Sequence, residues 1–219
     1  MCTGPRFAFG SKGYWKLFYQ RRHKATHFEW FMPDKLAASV VAGALQRHGL
    51  SPSAGCRVLH VGCGTSLLGG SLAAAGASVT HIDYDATAVD RARLLAETAP
   101  ATLGAQVWRV CDVRETGPSE WGGAFDAVVD KGTMDALLFA DRDDRAGSAA
   151  DFGAEIARVL RPRRGVYLQL SDAPPEVRVE ELAAALPSTF RVVWQSIEDE
   201  EEAGERELFM YTAHDASEE

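Results

Sequence analysis

The segment Val58–Ser66 reads VLHVGCGTS, and it decides the fold class of this 219-residue chain. A short apolar run that ends in two closely spaced glycines predicts a buried strand followed by a sharp turn. A second apolar run, Ser78–Ile82, follows after a helical stretch and leads directly into Asp83. Strands and helices that alternate in this way predict a parallel sheet that helices cover on both faces.

Outward from this segment, the hydrophobic pattern predicts seven strands. Five are expected to be parallel: Arg57–Val61, Ser78–Ile82, Gln106–Val110, Phe125–Val129 and Val166–Leu170. The last two, Phe190–Ile197 and Leu208–Ala213, are separated by only ten residues. Because ten residues cannot hold a helical crossover, we expect these two strands to form an antiparallel hairpin. The predicted fold is therefore α/β, a Rossmann-like seven-stranded and mostly parallel sheet with helices on both faces and a C-terminal antiparallel hairpin.

The same pattern places four helices between these strands and before them. They are predicted at Lys35–Arg47, Leu67–Ala75, Ala86–Glu97 and Ala149–Leu160, with Asp34 and Asp85 as N-caps of the first and third. No linker divides the chain, so we interpret residues 1–34 as an N-terminal arm and residues 35–219 as one domain.

Composition and charge exclude several classes of protein. The net charge of −8, from 23 basic and 31 acidic side chains, argues against non-specific binding of nucleic acid. No apolar run approaches the roughly 20 residues that a bilayer requires. The four cysteines form no CxxC pair, so we expect a reduced protein without a structural metal. Residues 1–28 carry six basic side chains and no acid, which is typical of a solvated basic arm or of an organellar transit peptide.

Polar residues follow the strands at the edge where open α/β sheets bind ligands. Gly62 and Gly64 allow a ligand to approach the backbone after the first strand. Asp83, 21 residues after Gly62, can accept hydrogen bonds from ribose hydroxyls. Asp112 can accept from an adenine amino group, while the backbone N–H of Val113 donates to a ring nitrogen.

A further cluster, Asp130–Asp135, reads DKGTMD and follows the fourth predicted strand. It combines two carboxylates, a lysine and a flexible glycine at the same edge of the sheet. This spacing has no evident structural reason and indicates a functional loop.

These segments carry a family resemblance. VLHVGCGTS, His81–Tyr84 (HIDY) and Asp130–Leu137 (DKGTMDAL) resemble class I S-adenosylmethionine-dependent methyltransferases. The branch that they resemble most contains the methyltransferase-like enzymes that modify lysines of elongation factor 1A or citrate synthase. Tyr14-Trp15, Tyr19 and the FEWF of Phe28–Phe31 are similar to that branch's N-terminal motifs, and Leu168–Arg178 is similar to the citrate synthase enzyme's fifth-strand segment.

The resemblance implies a protein-lysine N-methyltransferase that uses S-adenosylmethionine and releases S-adenosylhomocysteine, without a metal. The arm would pack over the cofactor site, and Asp130 and Asp135 would dock and orient the substrate lysine; no residue is assigned as general base. The implied partner is a protein, not nucleic acid or membrane, and we expect a monomer of the cytoplasm or the mitochondrial matrix. The implied cofactor contacts are Trp15, Tyr19, Trp30, Gly62, Gly64, Asp83, Tyr84, Asp112, Val113 and Lys131 (the last through its backbone).

Other functions stay open from the residues alone. A small-molecule methyltransferase would have the same fold, and a non-catalytic module would bind S-adenosylmethionine without turnover. An NAD-dependent oxidoreductase is disfavoured, because the segment GCGTSL at residues 62–67 lacks the third glycine of the dinucleotide motif and the chain has no room for a substrate domain. Many class I enzymes have an acid where His60 stands, and we interpret His60 as a buried sheet residue rather than a base.

Overall fold

The computed structural model describes residues 9–22, 27–99, 102–115, 119–139, 142–198 and 207–217. Seven strands form one sheet: β1 (Arg57–Val61), β2 (Ser78–Asp83), β3 (Gln106–Val110), β4 (Ala127–Lys131), β5 (Val166–Ser171), β6 (Phe190–Ile197) and β7 (Leu208–Asp215). Their order across the sheet is β3-β2-β1-β4-β5-β7-β6. β1 to β5 are parallel, and β7 runs antiparallel to both of its neighbours. The predicted fold class is confirmed, including the C-terminal hairpin.

Helices cover both faces of this sheet. They are α1 (Lys12–Arg21), α2 (Asp34–Arg47), α3 (Leu68–Ala74), α4 (Ala86–Glu97), α5 (Thr133–Leu138), α6 (Arg142–Val159) and α7 (Pro175–Ala185). Successive side chains of a strand point to opposite faces, so Val58 belongs to the core under α2 and α3 whereas Leu59 belongs to the core under α6 and α7. None of the described helices is long and apolar enough to cross a membrane.

The predicted position of the fourth strand was wrong by two residues at each end. Phe125 precedes β4, where it forms an isolated bridge to Leu160, and the strand continues through Asp130 and Lys131. A prediction from sequence pattern ends a buried strand before its first charged residue. In the structure that charge is buried inside the sheet, because Tyr167 of β5 donates a hydrogen bond to the Asp130 carboxylate.

Three helices were not predicted, namely α1, α5 and α7, and α6 begins seven residues earlier than expected. The six residues of α5 are too few for a recognisable helical period. Asp34 is the first residue of α2 rather than its N-cap, which is Pro33. Its carboxylate instead accepts a hydrogen bond from Ser71 Oγ at 3.0 Å.

The N-cap predicted for α4 is confirmed and can be tested. Asp85 has an extended backbone and accepts a hydrogen bond from Ala88 N at 3.0 Å. We expect Asp85→Ala to lower the free energy of unfolding by about 1 kcal/mol, because it leaves a helix N–H without its partner. Denaturant unfolding measures this loss, with the exposed Asp90→Ala in the same helix as control. Equal losses for the two variants would contradict the capping role.

Candidate active site

A cavity of about 90 Å³ lies beyond the carboxyl ends of the central parallel strands. The described part of the N-terminal segment, residues 9–22 and 27–33, covers it; we call this part the arm. Of the predicted 1–34 segment, residues 1–8 and 23–26 lie outside the described residues, and Asp34 begins α2. Nine of the ten predicted cofactor contacts line the cavity: Trp15, Tyr19, Trp30, Gly62, Gly64, Asp83, Tyr84, Val113 and Lys131.

The turn after β1 forms the floor of the cavity, and its two glycines are necessary there. Gly62 and Gly64 have φ values of 54° and 51°, a conformation that other residues rarely adopt. A Cβ atom at Gly64 would lie 2.4 Å from the hydroxyl oxygen of Tyr19 in the arm, so only glycine allows the arm to approach this closely. The short GxG motif thus serves both the turn and the packing of the arm.

Asp83 joins this turn to the end of β2. One carboxylate oxygen accepts from Gly64 N and the other from Asp85 N, each at 2.9 Å. The side chain is buried beside the cavity, and burial raises the pKa of this carboxyl to about 6. Asp83 therefore combines a structural role in the turn with an acceptor group at the cavity wall.

Asp112 is the one predicted cofactor contact that the structure places outside the cavity lining. Its Oδ2 atom lies 2.7 Å from Lys12 Nζ of α1, and Arg114 donates to both carboxylate oxygens. Although burial raises it, the pKa of Asp112 is held well below its ordinary value by hydrogen bonds from Arg114 and Lys12. Lys12 also reaches Tyr84, whose hydroxyl donates to the Lys12 carbonyl at 3.3 Å.

Four aromatic side chains of the arm form the roof of the cavity: Trp15, Tyr19, Phe28 and Trp30. The Trp15 and Trp30 ring centroids are 5.4 Å apart, and those of Phe28 and Trp30 are 5.7 Å apart. Aromatic faces exclude water and attract cations through the ring quadrupole. We call these four residues the aromatic roof.

Asp130 lies near the end of β4 and Asp135 in the first turn of α5, and neither lines the cavity. Asp130 is fully buried and accepts from Thr133 N, Met134 N and Tyr167 Oη at 2.7, 3.1 and 2.8 Å. Burial raises the pKa of this carboxyl. Three of the roughly four acceptor sites of this carboxylate are therefore used inside the fold, which favours an indirect role through the position of α5.

The Asp135 carboxylate also makes its contacts within the fold. Its Oδ1 atom accepts from Arg178 at 2.7 Å and from Ser171 Oγ. Burial raises the pKa of this carboxyl to about 6 in spite of the neighbouring guanidinium.

Further cavity residues were not predicted as contacts, among them Phe28, Ser66, Gly132, Thr133 and Ala136. Each lies inside a motif that had been recognised, so the signal was adjacency to the predicted contacts. His60 also lines the cavity. It is buried against His81, with Nδ1 atoms 3.4 Å apart, and burial lowers its pKa well below the ordinary value, which leaves it neutral near pH 7. The described residues contain no cluster of three or more His, Cys, Asp or Glu that could hold a metal ion.

Known proteins resemble this chain in sequence and in structure. The methyltransferase domain family matches residues 59–167. EEF1A lysine methyltransferase 4 of Bos taurus is 31% identical over 180 residues, which cover 78% of this chain and 65% of that protein. Mitochondrial citrate synthase-lysine N-methyltransferase of Danio rerio is 30% identical over 182 residues, which cover 77% of this chain and 69% of that protein.

Among solved structures, magnesium protoporphyrin IX methyltransferase from Synechocystis PCC 6803, with bound SAM, has a TM-score of 0.60. The match covers 98% of this chain and all of that one at 15% identity, which establishes a shared fold. The chain spans about two thirds of the length of the curated relatives that it matches, 65% and 69% for the two named above. From its sequence relatives and its fold, this chain belongs to the S-adenosylmethionine-dependent methyltransferase family.

Proposed function

We propose that this protein transfers a methyl group from S-adenosylmethionine to a lysine side chain of a protein substrate. The observation that carries the proposal is one cavity in which a glycine turn, the buried acceptor Asp83 and the aromatic roof face one another. The relatives named as lysine methyltransferases support the choice of acceptor.

The residues that line the cavity fit the proposed cofactor. Asp83 would accept hydrogen bonds from the ribose hydroxyls, because its carboxylate has about four acceptor sites and the backbone N–H groups of Gly64 and Asp85 use two. Tyr84 and Val113 would flank the adenine. The turn at Gly62–Gly64, which has no Cβ atoms at the glycines, would hold the methionine portion.

Asp112 stays proposed as the acceptor for the adenine amino group. The adenine amino group would have to replace the ammonium of Lys12, whose Nζ atom lies 2.7 Å from Asp112 Oδ2. Lys131 stays proposed as a backbone contact, because its ammonium group donates instead to Glu29.

The chain's residues act mainly by positioning and by excluding water. S-adenosylmethionine, when bound, supplies a methyl group that is already activated on a sulfonium. Trp15, Tyr19 and Trp30 would keep water from that methyl group and present ring faces to the positive charge. A target lysine with an ordinary pKa of roughly 10.4 must lose a proton, and its burial against these rings would lower its pKa. Asp130 and Asp135 would orient the acceptor indirectly, by holding α5.

The proposed partner is therefore a protein with an accessible lysine. The monomeric state and the compartment, either cytoplasm or mitochondrial matrix, stay predictions. Size-exclusion chromatography with light scattering and localisation of a tagged chain test them directly.

Labelling of a substrate tests the proposed function. The protein is incubated with methyl-labelled S-adenosylmethionine and cell extract, and separately with purified citrate synthase and elongation factor 1A. Peptide mass spectrometry should then find the label on lysine. Label only in metabolite or lipid fractions would indicate a small-molecule methyltransferase, and cofactor binding without any label would indicate a binding module. Calorimetric preference for NAD would reject the proposal altogether.

Cofactor binding should depend on the ionisation of Asp83. Its pKa is raised to about 6, so we expect affinity for S-adenosylhomocysteine to be constant above pH 7 and to fall up to about tenfold per pH unit below 6. Calorimetry across pH 5–8 measures this dependence, with Asp83→Asn as the variant that should lack it. A wild-type profile as flat as that of Asp83→Asn would contradict the role.

Unfolding does not explain such a loss. From an ordinary value of 3.8, the raised pKa makes the folded state bind the proton more tightly. The contribution of Asp83 to stability is therefore larger at low pH and decreases as the pH rises toward about 6.

A further inference from the structure

We propose that Glu29 is a positioning residue for methyl transfer, which fastens the aromatic roof over the cavity and neutralises the Lys131 ammonium beside it. The inference rests on the proposed function, because it concerns how the cavity accepts a positively charged methyl donor. Glu29 does not itself line the cavity and acts through its neighbours.

The Glu29 carboxylate joins the arm to two segments of the domain, the turn after β1 and the end of β4. It accepts hydrogen bonds from Ser66 Oγ and Leu67 N, which follow the glycine turn after β1, both at 2.7 Å. It also accepts from Lys131 Nζ at the end of β4, again at 2.7 Å. Only 12% of the Glu29 side chain and 2% of the Lys131 side chain are exposed, so solvent screens this ion pair weakly. One carboxylate thus links the arm to the turn after β1 and to the end of β4, which both border the cavity.

The backbone of the arm needs such an anchor. Phe31 has a φ of 67°, which is unusual for a bulky residue, and Met32 N donates to Trp30 O at 2.8 Å to close a tight turn. Strained backbone of this kind persists only where its surroundings hold it. Lys131 Nζ donates a second hydrogen bond, at 3.0 Å, to the same Trp30 carbonyl. Glu29 and Lys131 therefore hold the turn from both sides.

The position of Glu29 in the sequence makes this anchor relevant to the cavity. Its two neighbours, Phe28 and Trp30, are both members of the aromatic roof. Ser66, which it also binds, lines the cavity in the turn proposed for the methionine portion. Anything that releases Glu29 would disturb the roof and the cofactor turn together.

The charges of Glu29 and Lys131 should affect a charged and a neutral ligand differently, which packing alone would not do. Lys131 lines the cavity, and an uncompensated ammonium there would repel the sulfonium of S-adenosylmethionine. The thioether of S-adenosylhomocysteine is neutral and would not be repelled. Glu29 is the carboxylate in direct contact with this ammonium. The ratio of the two affinities therefore reports the neutralisation, whereas a general loss of structure lowers both affinities alike.

Calorimetric titration of both ligands tests the proposal. Glu29→Gln should weaken S-adenosylmethionine about tenfold more than S-adenosylhomocysteine, because it leaves the Lys131 ammonium without its countercharge. Lys131→Met should shift the ratio of the two affinities in the opposite direction, because it leaves the negative charge of Glu29 without a countercharge. The double variant carries neither charge and should return the ratio to the wild-type value. Asp90→Asn, which removes an exposed carboxylate of α4, is the matched control and should not change the ratio.

Several outcomes would overturn the proposal. If Glu29→Gln leaves the ratio of the two affinities unchanged, Lys131 needs no neutralisation. If Glu29→Gln does not fold, an unchanged ratio in Lys131→Met would show the same. A double variant that keeps an altered ratio would assign the effect to packing. Failure of the wild-type protein to bind either ligand would instead contradict the proposed function, which makes the two failures distinguishable.

Discussion

Replacing Asp83 by alanine is expected to weaken binding of S-adenosylhomocysteine by roughly 5- to 150-fold, equivalent to about 1–3 kcal/mol. The variant removes the proposed acceptor for the ribose hydroxyls. It also leaves the N–H groups of Gly64 and Asp85 without their partner at 2.9 Å, so the turn after β1 loses part of its support. Isothermal titration calorimetry at pH 7.5 measures the change.

Two controls separate ligand contact from damage to the turn. Asp83→Asn keeps a side-chain oxygen as acceptor but loses the charge, so it should fall between wild type and alanine. Asp90→Ala removes an exposed carboxylate of α4 and should bind as the wild type does. Wild-type affinity in Asp83→Ala, together with normal unfolding, would mean that the end of β2 does not face the cofactor.

Arg178→Ala should lower the free energy of unfolding by about 3–5 kcal/mol, the largest effect expected on stability. The guanidinium of Arg178 lies 2.7 Å from Asp135 Oδ1, with only 4% and 8% of the two side chains exposed. Without Arg178 the carboxylate stays buried without a countercharge, and its remaining oxygen already has no hydrogen-bond partner. Denaturant unfolding at pH 7.5 measures the loss.

The dependence of this loss on pH gives a second check. Asp135 has a pKa raised to about 6 by burial, and removing the guanidinium that lowers this pKa would raise it further. The folded variant then binds a proton more tightly than the unfolded chain, so its stability falls as the pH rises. The difference from wild type should therefore shrink at pH 5.

The matched control for Arg178 is an exposed ion pair. Arg93→Ala breaks the ion pair between Arg93 and Asp90, whose side chains are 56% and 67% exposed, respectively. We expect it to change the free energy of unfolding by less than about 0.5 kcal/mol. Comparable losses in the two variants would mean that the buried pair is no more important than a surface pair.

Local sequence pattern was sufficient to predict the glycine turn and the acid that border the cavity. The glycines after the first strand and the acid at the end of the second could be recognised from the residues next to them. The reasons are local, since they concern backbone conformation and position in the strand. Gly62 and Gly64 need positive φ, and Asp83 needs only to be the last residue of its strand. The family resemblance added the aromatic residues of the arm, which no periodicity would have assigned to a cavity.

The hydrogen-bond and ion-pair partners of the carboxylates could not be predicted from local pattern, because those partners lie far away in the sequence. Asp130 and Asp135, which stay proposed as residues that orient the substrate, contact Tyr167 and Arg178, which lie 37 and 43 residues further along the chain. Asp112, which stays proposed as the acceptor for adenine, pairs with Lys12 of α1, a helix that the pattern did not show. Each partner is distant in sequence, so no local pattern could report the contact.

The sequence by itself determined the alternation of strands and helices, the antiparallel end of the sheet and the residues at the strand ends, because these follow from hydrophobic period, loop length and glycine stereochemistry. Only the tertiary structure decided which acids face the cavity and which are buried in ion pairs. It also decided that Glu29 joins the arm to Lys131, a residue 102 positions away. Charged side chains bind whatever the fold brings within a few ångströms, and those distances exist only after the sheet and the arm have packed together.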